Sequence, residues 1–410
     1  MIKARAKHRI RPQLRIGLNS GAAVVGIVES GPNAGVTVLG DTVNVAARLQ
    51  AQAAPNTVCM SEATHRAVQG MVDASFSGEH LLKGKSEPQK AYKLDAIRQG
   101  AARFDAAISR GLGAFVGRER ELEILERGFA KAEIQLQVFD IMAEPGMGKS
   151  RLLYEFRQRD EFRQRVGKEQ AYFLSGSCSP DGQQTPFLPF IEAVRGSFRV
   201  SAGESERIIA QKLEFGLMTL GLHSARNHGL LLHLLGLRAR DETLTGLDGV
   251  LLGLRTRELL QQILEARCRL SPVVMVVEDL HWVDGSSEQV LSKIIASDVT
   301  LRLLLLTSRR PEYTPPWLDH PAVARTPLGP LRTDEVRRLV QARLEIESLP
   351  EALAQQVIEK ADGNPLFAEE IAAVLIERGL VRTRDALNFE KGAVAVSLPS
   401  TIQNFVDGAC

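Results

Sequence analysis

No apolar run in the 410-residue sequence approaches the ~20 residues needed to cross a bilayer. The longest, such as Val273–Val277 and Leu303–Leu306, are short. The start, Met1-Ile2-Lys3-Ala4-Arg5, is basic, but no apolar stretch of signal-peptide type follows it. Cysteine is scarce: Cys59, Cys178, Cys268 and Cys410 are widely separated and form no CxxC pair. That excludes a disulfide framework and suits isolated thiols in a reducing compartment, so a cytoplasmic protein is expected. An excess of either charge is also missing, with 51 Lys plus Arg against 49 Asp plus Glu. No global field therefore draws nucleic acid or an anionic membrane, and neither is expected as a partner.

What is present is ordinary for a folded chain: 44% apolar and 24% charged residues exclude wholesale disorder. The length predicts two or three domains. Residues 1–97 hold short β-like runs (Leu14–Leu18, Ala23–Val28, Gly35–Leu39) broken by glycines, with a helix near Val43–Gln52. Residues 98–114 are small and weakly patterned, as in a linker. From Phe115 onward, helical patterns alternate with solitary aliphatic strands at Leu136–Met142, Ala171–Ser175, Val273–Val277 and Leu301–Thr307. Near-continuous apolar runs mark strands buried on both faces of a parallel sheet, which gives an α/β fold over 115–330. Beyond it, Thr333-Asp334-Glu335 and Pro350-Glu351 read as helix starts. Gly363 closes the second helix and Pro365 opens a third to about Arg378, making a helical subdomain over 331–410.

The strongest chemical signal is Ala143-Glu144-Pro145-Gly146-Met147-Gly148-Lys149-Ser150, between a strand and a helix. That is the context of a Walker A loop. Gly146 and Gly148 let backbone N–H groups close around phosphates, and the helix N-terminus adds partial positive charge. Lys149 would reach the β- and γ-phosphates, and Ser150 would hold Mg²⁺. The first position is Ala143 where the pattern has glycine. Further on, Glu278-Asp279 end an aliphatic strand as a Walker B pair does, one carboxylate holding Mg²⁺ through water and the other polarising an attacking water. The order Glu278 then Asp279 leaves open which does which. The next strand ends in Thr307-Ser308-Arg309-Arg310, where Arg309 is the candidate sensor of a γ-phosphate. His223, His228 and His233 fall on different faces of a helix, so no metal site is expected there, and Cys178 reads as a small core residue.

Together, Phe115-Val116-Gly117-Arg118-Glu119, the Glu278-to-Asp284 run Glu-Asp-Leu-His-Trp-Val-Asp, and Gly363-Asn364-Pro365-Leu366-Phe367 with Glu369-Glu370 resemble the AAA-type ATPase modules of the STAND class over about 115–405. These are signalling switches that hold ATP or ADP. The resemblance implies that Phe115–Arg118 lie against the adenine and that Gly363–Phe367 belong to a helical lid. Residues 14–97 resemble the second half of a class III nucleotide cyclase domain, an α+β (ferredoxin-like) fold. The resemblance rests on Leu14–Gly21, on Leu39-Gly40-Asp41-Thr42-Val43-Asn44-Val45-Ala46-Ala47-Arg48-Leu49, and on Leu82-Lys83-Gly84-Lys85. Asn44 and Arg48, four apart, share a helix face.

In that family those two positions orient the ribose and stabilise charge at the α-phosphate, Thr37 reads the purine, and Lys83 meets the terminal phosphates. The family's metal-binding aspartates and purine-reading lysine lie upstream of this segment, and residues 1–13 carry no acidic residue. A cyclase half without ligands for paired Mg²⁺ or Mn²⁺, inactive alone, is therefore expected; a competent cyclase is not. The architecture resembles that of soluble adenylyl cyclases, with a slow ATPase resetting the switch and a homo-oligomer or cyclase-type dimer as the assembly. The alternative is a non-catalytic STAND regulator, transcriptional or scaffold in type, controlled by bound nucleotide.

Overall fold

The computed structural model describes residues 13–21, 23–28, 35–81, 88–97, 104, 107–108, 111–168, 170–201, 203–237, 244–297 and 299–377. The chain forms two compact units that divide between Leu112 and Gly113.

In the first unit, β1 (Arg15–Leu18) runs parallel to β4 (Thr57–Ser61), which pairs antiparallel with β6 (Gln89–Ile97) and through it with β5 (Val72–His80), in the order β1-β4-β6-β5. A separate antiparallel ribbon joins β2 (Val24–Val28) to β3 (Gly35–Leu39). Its helices include α1 (Asp41–Gln52) and the short α2 (Glu62–Ala67), whose N-terminus is capped by the Ser61 hydroxyl. Helix α1 lies directly on β1. A Cβ at Gly17 would stand 2.1 Å from the Ala46 carbonyl oxygen, so only glycine allows that approach. Val45, Leu49, Ala53, Cys59 and Ala91 form a small core. The sequence pattern shows the first three strands and α1, but β4–β6 and α2 escape it, because β5 and β6 are half-exposed strands with no continuous apolar run.

The second unit is built on a five-stranded, all-parallel sheet in the order β11-β7-β10-β9-β8. Its strands are β7 (Gln137–Met142), β8 (Tyr172–Ser177), β9 (Val273–Glu278), β10 (Leu303–Arg309) and β11 (Val323–Pro327). Residues 273–277 and 303–309 are buried throughout. Their alternate residues enter different cores: Val273, Met275, Val277, Leu303 and Leu305 on one face, Val274, Val276, Leu304 and Leu306 on the other. That division is why these strands carry no polar alternation.

The first face is covered by α6 (Leu188–Ser197), α7 (Glu206–Thr219), α8 (Ala225–Leu234), α9 (Gly249–Leu270) and α10 (Gly285–Ile295). The second is covered by α3 (Glu119–Lys131), α4 (Lys149–Gln158) and α5 (Asp160–Gly167) through a cluster of Phe129, Phe156 and Phe162. Strand β11 is invisible in the sequence, since at the sheet edge it buries only Thr326 among Val-Ala-Arg-Thr-Pro. Three helices follow, α11 (Thr333–Leu344), α12 (Glu351–Ala361) and α13 (Pro365–Glu377), around a core of their own.

Candidate nucleotide site

The loop between β7 and α4 has the backbone that phosphate binding requires. Gly146 and Gly148 sit at φ +80° and +89°, a region that side chains rarely adopt. Ala143 does not have a positive φ, and its methyl is buried in the core beneath the sheet, so an alanine there costs the loop nothing. Lys149, 9% exposed, opens α4 and turns back over the loop, donating to the carbonyls of Ala143 (2.7 Å) and Glu144 (3.1 Å). Burial pulls its ammonium below the usual lysine range, against the opposing effect of the nearby Asp279 carboxylate.

Strand β9 ends at Glu278, and Asp279 enters the left-handed region at φ +58°. For a non-glycine residue this is a strained turn, of the kind held at functional positions. Its N–H donates to the Ser308 hydroxyl at 3.0 Å. Burial raises the Asp279 carboxyl, while Lys149 and then Arg310 pull it down. Of Glu278 and Asp279, Asp279 is the carboxylate whose charge acts on Lys149. Glu278 is partly exposed at the strand end. Asp284, the third carboxylate of the same run, has another task. It caps α10 by accepting from Ser286 and Ser287 N–H at 3.0 Å each, and from Phe187 N–H at 3.2 Å.

Arg309 and Arg310 part company. Arg309 is 4% exposed, and its Nε donates to both oxygens of the fully buried Asp140, at 2.8 and 3.1 Å, while Nη1 donates to the Tyr313 carbonyl. Thr307, two residues earlier and so on the same side of β10, also reaches Asp140. Arg310 has the opposite parity. Its guanidinium lies 5.8 Å from the centre of the Trp282 ring, 3.9 Å from Glu312, and close enough to Lys149 and Asp279 to shift both. Arg309, the candidate sensor, is thus paired with Asp140, while Arg310 acts on Lys149 and Asp279. Strand alternation held the signal, since in a pair of consecutive arginines only one can share the side of Thr307.

Sequence reasoning passed over His281. Both of its ring nitrogens are buried without a hydrogen-bond partner. Burial first, then Arg310 and Lys149, lower its pKa to about 4, so the ring is neutral at pH 7. Nearby, Cys178 is buried, and burial together with Asp284 and Asp279 pushes its thiol up, leaving it protonated and inert.

Arg118, buried at the start of α3, donates to the Gly329 carbonyl at 2.5 Å and to the Met147 carbonyl of the loop at 3.4 Å. Its neighbour Gly117 (φ +75°) sits against Glu335 of α11, whose carboxylate a Cβ would meet at 2.6 Å. The segment ahead of the loop therefore lies close against α11 at Gly117. Asn364, also buried, reaches the loop from the other end of that subdomain, donating to the Pro145 carbonyl at 3.0 Å.

In the first unit, Asn44 is exposed and Arg48 half-buried on α1, with Val45 and Leu49 taking the core. Thr37 stands on β3 opposite Gly26. Lys83 lies outside the described residues. Among the described residues, no group of three or more His, Cys, Asp or Glu side chains is placed to hold a metal. No described helix is long and apolar enough to cross a membrane.

Comparison with known proteins agrees with this division. Residues 114–306 match the AAA ATPase domain, residues 1–96 the adenylate and guanylate cyclase catalytic domain, and residues 332–388 a domain of unknown function. The chain thus carries a segment matching a cyclase catalytic domain, followed by one matching an AAA ATPase domain. It is similar to an uncharacterised protein of Rhizobium meliloti (strain 1021), 31% identical over 371 residues, which are 88% of this chain and 34% of that protein. It is also similar to the receptor-type guanylate cyclase gcy-5 of Caenorhabditis elegans, 39% identical over 82 residues, 19% of this chain and 7% of that one. The chain thus spans about a third or less of the length of these relatives.

Among solved structures, the guanylate cyclase domain of RhGC from Catenaria anguillulae in complex with GTP is 27% identical, with a TM-score of 0.19, over 20% of this chain and 45% of that one. A STAND protein with a tetratricopeptide repeat sensor from Pyrococcus horikoshii is 16% identical, with a TM-score of 0.32, over 61% of this chain and 28% of that one.

Proposed function

We propose that the second unit binds ATP and ADP with Mg²⁺ on the loop 143–150 and acts as a nucleotide switch in cytoplasmic signalling, joined to a class III adenylate cyclase-type domain. One observation carries this: the buried Lys149 lies over a loop with two left-handed glycines, beside the Asp279 carboxylate and the Arg310 guanidinium. Gly146 and Gly148 leave room for backbone N–H groups to meet phosphate, and Lys149 exchanges its loop carbonyls for phosphate oxygens. The Ser150 hydroxyl and the Asp279 carboxylate are hard oxygen donors of the kind Mg²⁺ takes. When bound, that ion neutralises phosphate charge. Asp279 serves as the metal-side carboxylate, and Glu278 is left to orient water. Arg310, rather than Arg309, supplies the cation for the terminal phosphate. Hydrolysis is slow and resets the switch.

The cyclase segment contributes Asn44 and Arg48 on one helix face, with Thr37 and Lys83, in a cyclase-type dimer.

One incubation with ATP, Mg²⁺ and Mn²⁺, with cyclic AMP and ADP quantified from the same tube, tests the whole reading. ADP alone, lost in Lys149→Ala, is the expected result. Cyclic AMP that disappears in Asn44→Ala would place cyclase activity in the first unit. Nucleotide affinity unchanged by Lys149→Ala overturns the loop assignment. Binding without either product leaves a non-catalytic regulator.

A further inference from the structure

The three-helix subdomain is bolted to the loop by two hydrogen bonds whose acceptors are loop carbonyls. Asn364 Nδ2 donates to Pro145 at 3.0 Å, and the Leu366 N–H donates to Gly146 at 3.3 Å. The same Asn364 side chain holds the start of α13, its Oδ1 accepting from the N–H groups of Leu366 (3.0 Å) and Phe367 (3.4 Å). This amide orientation is the one that satisfies both ends, because the carbonyl oxygen faces donors and the NH₂ faces an acceptor. Asn364 is 6% exposed, so the pair is shielded from water. Glycines on both sides make the approach possible. A Cβ on Gly146 would lie 2.6 Å from Asn364 Oδ1, and one on Gly363 (φ +70°) would lie 2.5 Å from Pro330 Cβ.

A trans peptide points its N–H away from its carbonyl. Fixing the Pro145 and Gly146 carbonyls therefore fixes the N–H groups of Gly146 and Met147 on the opposite side, and a hydrogen bond to each carbonyl strengthens its peptide as a donor. We infer that Asn364 is a positioning residue that makes phosphate binding and subdomain closure one coupled equilibrium. It does so by orienting the loop peptides from their carbonyl side while capping α13 with the same amide. This rests on the proposed nucleotide site. Coupling of this kind is reciprocal: whatever closure adds to nucleotide affinity, nucleotide adds to closure.

Asn364→Ser is the discriminating variant. Serine keeps a neutral oxygen able to cap α13 but is too short to reach Pro145. Mg²⁺-ADP and Mg²⁺ with the β,γ-imido analogue of ATP are titrated, and hydrogen exchange is followed over 364–377 with and without each nucleotide. Loss of one such bond predicts about fivefold weaker binding of both nucleotides. The factor by which nucleotide slows exchange in α13 falls by the same amount. Unchanged affinity, or weaker binding with the slowing of exchange intact, overturns the inference. So does a wild-type protein whose α13 exchange no nucleotide slows, whatever the variant does. Lys149→Ala run in parallel separates the two claims. If it binds as wild type, the nucleotide site itself fails. If it loses binding while Asn364→Ser changes nothing, only the coupling fails.

Discussion

Replacing Arg309 by methionine separates a structural arginine from a phosphate-facing one. Arg309 and Asp140 are 4% and 0% exposed, and the guanidinium also supplies a hydrogen bond to the Tyr313 carbonyl. Methionine fills much of the volume but leaves a buried carboxylate that, among the described residues, keeps the Thr307 hydroxyl as a donor and the weaker pull of Arg325. Breaking one partner of such a pair costs about 3–5 kcal/mol, because an uncompensated charge stays behind. For a unit of this size that is a fall in melting temperature of roughly 5–8 °C.

The loss should depend on pH in a defined direction. Burial is already the largest effect on Asp140 and raises its pKa, with Arg309 the main opposing influence. Without Arg309 the carboxyl rises further, so the folded variant holds a proton that the unfolded chain has released. Stability then falls as pH increases. The deficit of Arg309→Met is therefore larger at pH 8 than at pH 5. Asp140→Asn combined with Arg309→Met removes the orphaned charge and recovers most of the loss. Urea unfolding of the four proteins at both pH values measures this as a double-mutant cycle. If Arg309→Met costs less than about 1 kcal/mol while abolishing the difference between ATP and ADP binding, the structural assignment is wrong and Arg309 is the phosphate sensor. In the expected outcome, that discrimination is lost in Arg310→Ala instead.

Two further perturbations test other parts of the fold. His281 has a folded pKa of about 4 against about 6.5 unfolded. Stability linked to it is complete above pH 6.5 and is lost as pH falls toward 4, by about 1–2 kcal/mol once the partial exposure of the residue is allowed for. His281→Phe should flatten the melting-temperature profile across that window, and a profile parallel to wild type would show that the ring is not neutral and buried. In Gly17→Ala the new methyl meets the Ala46 carbonyl oxygen at 2.1 Å and the Gln50 nitrogen at 2.3 Å, both backbone atoms that cannot rotate aside. With a core as small as Val45, Leu49, Ala53, Cys59 and Ala91, a cost of about 1–3 kcal/mol should open the first unit. Hydrogen exchange in 57–61 should then speed up while nucleotide binding by the second unit is unchanged; protected strands in this variant would refute the close-contact argument.

By itself the sequence determined the elements whose burial is two-sided or whose turns need special backbone. Four of the five parallel strands were legible because residues entering opposite cores leave no polar alternation, and the loop was legible because glycine is the residue that tolerates φ near +80°. The three closing helices announced their ends through Thr333, Pro350, Gly363 and Pro365. Edge and half-exposed strands such as β11 and β5 were not legible, since their stability comes from neighbours distant in sequence rather than from their own composition.

Tertiary structure alone decided which charge does what. Arg309 and Arg310 are chemically identical neighbours; strand alternation puts them on opposite sides, but the position of Asp140 on β7 decides which one is paired. Asp279 and Asp284 are both carboxylates of one run, yet one faces the loop and the other caps α10. Asn364 gains its meaning from a carbonyl 219 residues away. Local composition sets which elements form, through propensity and burial. The pairing of polar groups is a property of the space between elements, and a one-dimensional pattern does not contain it.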